Sequence, residues 1–169
     1  GNLFGVVSGR DYLTGFVAFE DEDLFDYDFL LLKSGAMAVD RCGNVLYEDV
    51  FNGGMPWRKG TLASEIVRMS FEAGAPFVTT SPGKDRRYYY KAYPDGLERE
   101  VRRAYPHSEI EQIGEVGLMS TICQDEENAT LLAEKMKSEF GKFINPLQNG
   151  ISVDISGVGI DKASGTRKF

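Results

Sequence analysis

Two short apolar segments on either side of a helical stretch open the chain and leave few ways to fold it. Gly1 to Val7 reads as a strand, Leu3-Phe4-Gly5-Val6-Val7, that breaks at the small polar turn Ser8-Gly9-Arg10. A mixed segment with helical character runs to Phe19, an acidic stretch follows, and Phe29 to Lys33 is a second strand with a buried pattern. Strands flanking a helical crossover predict a parallel βαβ unit, in which ligands bind at the loops leaving the strands' C-terminal ends. Ser8-Gly9-Arg10 and Ser34-Gly35-Ala36 both occupy such loops.

From Val45 the pattern changes. A strand over Val45 to Phe51 precedes a helix carrying Leu62, Ile66, Met69 and Ala73 at helical spacing and stopping at Gly74. Strands follow over Pro76 to Thr80 and Arg86 to Tyr93, and Asp95 with Glu98 forms a capping box for a helix that turns Leu97 and Val101 inward and ends before Pro106. A strand is expected near Glu109 to Ile113 and another over Val116 to Gln124. Asp125 caps a helix whose Ala129, Leu132, Ala133, Met136 and Phe140 make one apolar face, and Ile144 to Leu147 with Ile151 to Ile155 read as a hairpin. This middle region is an open-faced α+β module set between parallel-type strands and a Gly-rich tail, Gly157 to Gly165.

Composition narrows the function classes. Nineteen Lys and Arg against 26 Asp and Glu give a net charge of −7, which repels nucleic acid and anionic membrane, so an anionic ligand must be held by a local site. No apolar run exceeds a few residues, as at Phe29 to Leu32, so no membrane span and no secretion signal are expected. Cys42 and Cys123 form no CxxC and His107 is the one histidine, which suits a reducing cytoplasm and excludes a His-rich metal site.

Several residues bear chemistry, each with a plainer alternative. Ser8, Gly9 and Arg10 offer a hydroxyl, backbone N–H groups and a fixed cation to a phosphate oxygen; a polar turn with an exposed arginine has the same appearance. Lys162 in the Gly-rich tail is a second phosphate-facing cation or a solvated lysine. The run Glu20, Asp21, Glu22, Asp23, Asp26, Asp28 lacks the spaced ligands and turn glycine of a calcium loop, and Asp26-Tyr27-Asp28 precedes its strand, so a solvated acidic loop is expected. Tyr88 and Tyr90, or Tyr89 alone, can face a ligand from an alternating strand; one packed and one wet tyrosine face is the other reading. Trp57 is expected to anchor a helix start.

Taken in order, Val6-Val7-Ser8-Gly9-Arg10, Ser34-Gly35-Ala36, an inserted α+β module, Ile151 to Ile155 and Asp161-Lys162-Ala163-Ser164-Gly165 resemble the haloacid dehalogenase (HAD) superfamily, and within it the Cof-like, type IIB phosphatases. The resemblance implies an α/β fold: a partial Rossmann-like core of parallel strands over residues 1–51, an α+β cap over 52–148, and a return to the core over 149–169. It implies that Ser8 and Lys162 clamp the transferring phosphoryl group, that Arg10, Ser34, Gly35, Tyr88 and Tyr90 bind substrate, and that Mg²⁺ is the cofactor. Where the family usually has Asn before the turn glycine, this chain has Ser34. The family's DxDGT sequence, which holds the nucleophile upstream of the SGR turn, occurs nowhere here, and its acidic magnesium motif would follow Phe169.

The function so implied is Mg²⁺-dependent hydrolysis of a small phosphorylated metabolite, a sugar phosphate being one candidate, through a phosphoaspartyl intermediate formed outside this chain. The alternative is a non-catalytic small-molecule-binding or interaction module derived from the cap fold. Ser8 and Lys162 are expected to approach each other as the ends of strands in one parallel sheet, with no metal ligands from this chain.

Overall fold

The computed structural model describes residues 3–20, 26–51, 54–91, 104–105 and 107–169. Two sheets organise it. The first has strand order β1-β2-β3-β4, built from β1 (Gly5–Val7), β2 (Phe29–Leu32), β3 (Met37–Asp40) and β4 (Val45–Glu48). β1 and β2 pair in parallel, with α1 (Tyr12–Glu20) as the crossover, as the opening pattern predicts. The next pairs, β2 with β3 and β3 with β4, are antiparallel.

β3 is absent from the sequence reading, which carries the chain from Phe29–Lys33 toward Val45 without a reversal. The reversal is made by backbone that composition does not advertise: Lys33 and Ser34 take φ of 52° and 56°, and Gly35 follows at 98°. Two consecutive non-glycine residues in the left-handed region cost roughly 1–2 kcal/mol each, so tertiary contacts must hold them there. Phe16, Leu30, Leu32, Met37 and Val39 pack as the core on one side of this sheet.

The second sheet runs β7-β6-β5-β8-β10-β9. Its strands are β5 (Phe77–Thr80), β6 (Arg87–Tyr90), β7 (Ala104–Tyr105), β8 (Met119–Ile122), β9 (Ile144–Asn149) and β10 (Ser152–Gly157). Antiparallel register aligns Val78 with Thr121 and Tyr89, Thr121 with Val153, and Met119 with Ile155, so these side chains share a face. α2 (Leu62–Glu72) and α3 (Glu126–Phe140) cover that face, and Leu62, Ile66, Leu132, Met136 and Phe140 join Val78, Tyr89, Met119 and Val153 in one buried cluster. Both helices begin with side-chain caps: Thr61 and Ser64 form a reciprocal box, and Asp125 accepts the N–H of Asn128 at 2.8 Å. Trp57 packs edge-on against Phe140 and Phe143, the anchoring role expected of it.

Two expectations change. The segment near Glu109 to Ile113 is a 3-10 helix, His107–Gln112, because Ile110 and Ile113 are buried at a spacing of three rather than two. β10 belongs to the second sheet, so the return to the first unit comes after Gly157 and not at residue 149. Beyond it the tail forms α4 (Lys162–Thr166). The helix expected after Asp95 and Glu98, with Leu97, Val101 and Pro106, lies outside the described residues, as do Asp21, Glu22 and Asp23. Cys42 is exposed, Cys123 is buried and both are free thiols. Among the described residues no helix is long and apolar enough to cross a membrane.

Candidate functional site

The site is assembled from three loops of the first unit facing the bare side of the second sheet. The Ser8-Gly9-Arg10 turn leaves β1 and is sewn to the Lys33–Gly35 turn: Ser34 N–H donates to Ser8 O at 3.1 Å, and Lys33 N–H to Arg10 O at 2.7 Å. Within the first turn, Arg10 N–H donates to Ser8 Oγ at 3.1 Å. Asp11 then caps α1, its Oδ1 accepting from Thr14 N–H at 2.9 Å and Thr14 Oγ1 at 2.8 Å.

Lys162 arrives by close packing of backbones. A Cβ on Gly35 would stand 2.2 Å from Asp161 O and 3.2 Å from Lys162 Cα, and one on Gly165 would stand 2.8 Å from Gly35 Cα. Only glycine at both positions lets α4 lie against the turn. The Asp161–Ser164 capping box fixes where α4 begins, and Tyr47 Oη donates to Gly35 O at 3.0 Å. Ser8 and Lys162 therefore both adjoin the Lys33–Gly35 turn, and of the two Lys162 lines the cleft between the units whereas Ser8 stands behind Gly9 and Arg10. Ser8 and Lys162 do not end strands of one sheet, because β10 lies in the second sheet and Lys162 opens a helix.

The cleft between the units has a volume of about 530 Å³. Gly9, Arg10, Asp11, Ser34 and Lys162 line it from the first unit, and Thr79, Ser81, Arg86, Leu118, Ser120, Leu147 and Asp154 from the second. A smaller, mostly apolar hollow of about 360 Å³ adjoins it, sharing Ser34, Leu118, Leu147, Asp154 and Lys162. Arg10 and Lys162 are both exposed, and among the described residues neither side chain has a hydrogen bond or ion pair. Arg86 is different: its Nε lies 2.9 Å from Asp11 Oδ2, a carboxylate with 2% exposure, and its guanidinium sits over the Tyr88 ring.

Of the substrate-binding residues expected from sequence, Arg10 and Ser34 line the cleft, and Gly35 forms its floor turn. Tyr88 and Tyr90 do not line it. They stack on each other 6.4 Å apart, with Phe77 against both, and Tyr90 is 6% exposed. Tyr88 is the register partner of Thr79, which lines the cleft, so it stands one strand beyond the lining on the same sheet face. Asp26 pairs with Arg41 and Asp28 accepts the Phe4 N–H, which leaves the acidic segment a surface feature where it is described.

Sequence reasoning missed the residue that joins the units. Lys33 is fully buried, and its Nζ donates to Glu48 Oε1 at 2.7 Å, Ser81 O at 2.8 Å and Gly83 O at 2.6 Å. Burial pushes this ammonium below its usual range, and the bond and charge of Glu48 oppose that shift. Gly117 leaves room for the stem: a Cβ there would stand 3.1 Å from Lys33 Cδ. A lysine directly after four apolar residues was the signal, concealed because it reads as a strand's polar end.

The donor set suits anions more than cations. Among the described residues no group of three or more His, Cys, Asp or Glu could hold a metal ion, and the Asp11 oxygens already serve Thr14 and Arg86. The residues described here do not fit a divalent-cation site. A second groove of about 550 Å³ between α2 and α3, behind the sheet, has several of its charges paired: Arg68 meets Glu65 at 2.8 Å and Glu111 at 3.1 Å, and Lys135 meets Glu72 at 3.9 Å.

No protein-family model and no curated protein sequence matches this chain. Solved structures do. A HAD/COF-like hydrolase from Plasmodium vivax superimposes with a TM-score of 0.71 at 14% identity, over 96% of this chain and 58% of its own. A haloacid dehalogenase-like hydrolase from Bacteroides thetaiotaomicron gives 0.64 at 17% identity, over 97% and 62%, and the HAD subclass IIB sugar phosphatase BT4131 gives 0.65 at 12%, over 97% and 60%. The chain thus has the α/β fold of HAD-like, Cof-like hydrolases and spans about three fifths of the length of these structures.

Proposed function

We propose that this chain forms the cap and part of the core of a phosphohydrolase acting on a small phosphorylated metabolite, with a sugar phosphate as one candidate. The single observation behind the proposal is the pairing of two unengaged cations, Arg10 and Lys162, across the Ser34-Gly35 turn in a cleft of ligand size. A phosphate ester needs several charge-assisted donors converging on one point, and these cations with the Ser34 hydroxyl line the cleft, the Ser8 hydroxyl lying in the adjoining turn. The fold neighbours support the reading by their names, which include a sugar phosphatase.

On this reading Lys162 and Ser8 hold the phosphoryl oxygens, Arg10 guards the entrance, and the second sheet bears on the organic part of the ester. The nucleophilic carboxylate, the phosphoaspartyl intermediate and the residues for Mg²⁺ belong outside this chain. Mg²⁺, when bound, would supply charge neutralisation at the phosphoryl group. The 169-residue chain is therefore expected to bind phosphate without hydrolysing a phosphomonoester. Mg²⁺-dependent turnover of p-nitrophenyl phosphate by this chain would place the nucleophile within it, and Asp26 and Asp28 would be the first positions to change. Failure to bind inorganic phosphate in a calorimetric titration would remove the proposal.

A further inference from the structure

The wall of the cleft opposite the phosphate turns carries a pattern of its own. Register sets Thr79 beside Ser120 and Ser120 beside Asp154, so three polar side chains form a row across β5, β8 and β10 on the face that α2 and α3 leave bare. Leu147 of β9, opposite Asp154, closes the row. All four line the cleft.

Asp154 is half-buried, and among the described residues its side chain makes no hydrogen bond or ion pair. The other cleft carboxylate, Asp11, is consumed by Thr14 and Arg86. Arg86 is offset in turn, so the charges that remain uncompensated are Arg10 and Lys162 on one wall and Asp154 on the other. A bound phosphoryl group answers the first wall and leaves Asp154 facing the rest of the molecule. A carboxylate accepts hydrogen bonds and donates none, and two anions brought together in a partly desolvated cleft repel strongly.

We propose that Asp154 is a specificity-determining residue that accepts hydrogen bonds from hydroxyl groups of the ester and turns away a second negative charge. The cleft then takes monophosphates of neutral polyols in preference to bisphosphates. This rests on the phosphate-ester reading above, and the two are separable by experiment.

Calorimetric titration of the 169-residue chain with inorganic phosphate, glucose 6-phosphate and fructose 1,6-bisphosphate tests it, using wild type, D154N, D154K and K162A, each checked for folding by circular dichroism. Wild type is expected to favour glucose 6-phosphate over the bisphosphate. D154N should narrow that ratio on the order of tenfold, the usual cost of losing a hydrogen bond to a charged acceptor. It should leave inorganic phosphate nearly unaffected, and D154K should invert the ratio. An unchanged ratio in D154N, with phosphate binding that K162A still weakens, would remove the role of Asp154 and leave the phosphate site standing. Phosphate binding that is absent, or indifferent to K162A, would remove the phosphate-ester reading and this proposal with it.

Discussion

Lys33 and Lys162 meet at the same turn, one fully buried and the other exposed. Lys33 opens the turn and spends its charge on three oxygens, one from Glu48 in its own unit and two carbonyls, Ser81 and Gly83, from the other. Lys162 packs its backbone against Gly35 and leaves its ammonium without a partner among the described residues. The difference separates cohesion from recognition: an ammonium with every donor satisfied by protein fixes the units, whereas one with none satisfied is available to a ligand.

The largest expected effect breaks the cohesive side. Lys33→Met removes one partner of a buried ion pair and strands two carbonyls, which should cost about 3 kcal/mol. For a chain of this size that lowers Tm by roughly 10 °C, checked by differential scanning calorimetry. Lys162→Ala should leave Tm almost unmoved and weaken phosphate binding about tenfold or more, measured by calorimetric titration. If both variants lost binding and stability together, the division between the two lysines would fail.

Asp11→Asn comes next. It keeps one oxygen for the α1 cap but removes the negative charge facing Arg86, so about 1 kcal/mol of stability should be lost. Freed Arg86 should raise phosphate affinity about twofold, since it already lines the cleft. Unfolding and titration of the same variant check both effects. The smallest effect is in pH dependence. Burial lowers the Lys33 ammonium from its usual 10.5, so in the interval below 10.5 the unfolded chain binds more protons than the folded one. The stability of wild type relative to Lys33→Met should therefore rise as pH climbs through that interval toward 10.5. Denaturant unfolding at stepped pH would show it, and a difference that falls with pH would contradict the assigned environment.

How much of this was legible in the sequence differs between the same two regions. The residues proposed to hold phosphate, Ser8, Arg10, Ser34 and Lys162, stand in short local motifs at strand ends and helix starts, where turn chemistry marks them. The alternation of β10, with Asp154 between buried Val153 and Ile155, was also present in the sequence, although its polar face was not followed to the cleft. The junction was not legible. Lys33 acts through partners 15 to 50 residues away and through a left-handed backbone that no propensity favours at lysine. For Tyr88 and Tyr90 alternation fixes the sheet face, but the order of strands puts β6 one strand outside Thr79 of the cleft wall, and strand order is a long-range property. The 3-10 helix at His107–Gln112 was misread because two isoleucines three apart fit a short helix as well as an irregular strand.

The account stands most directly on where phosphate binds. Titrating isotope-labelled chain with inorganic phosphate and following backbone amide shifts by NMR locates the contact without any assumption about chemistry. The expected result is saturable shifts centred on Ser8, Gly9, Arg10, Ser34, Gly35 and Lys162, lost in Lys162→Ala and retained by the folded fraction of Lys33→Met. Shifts centred instead on Arg58, Arg68 and Lys135, in the groove behind the sheet, or no saturable shifts at all, would contradict it.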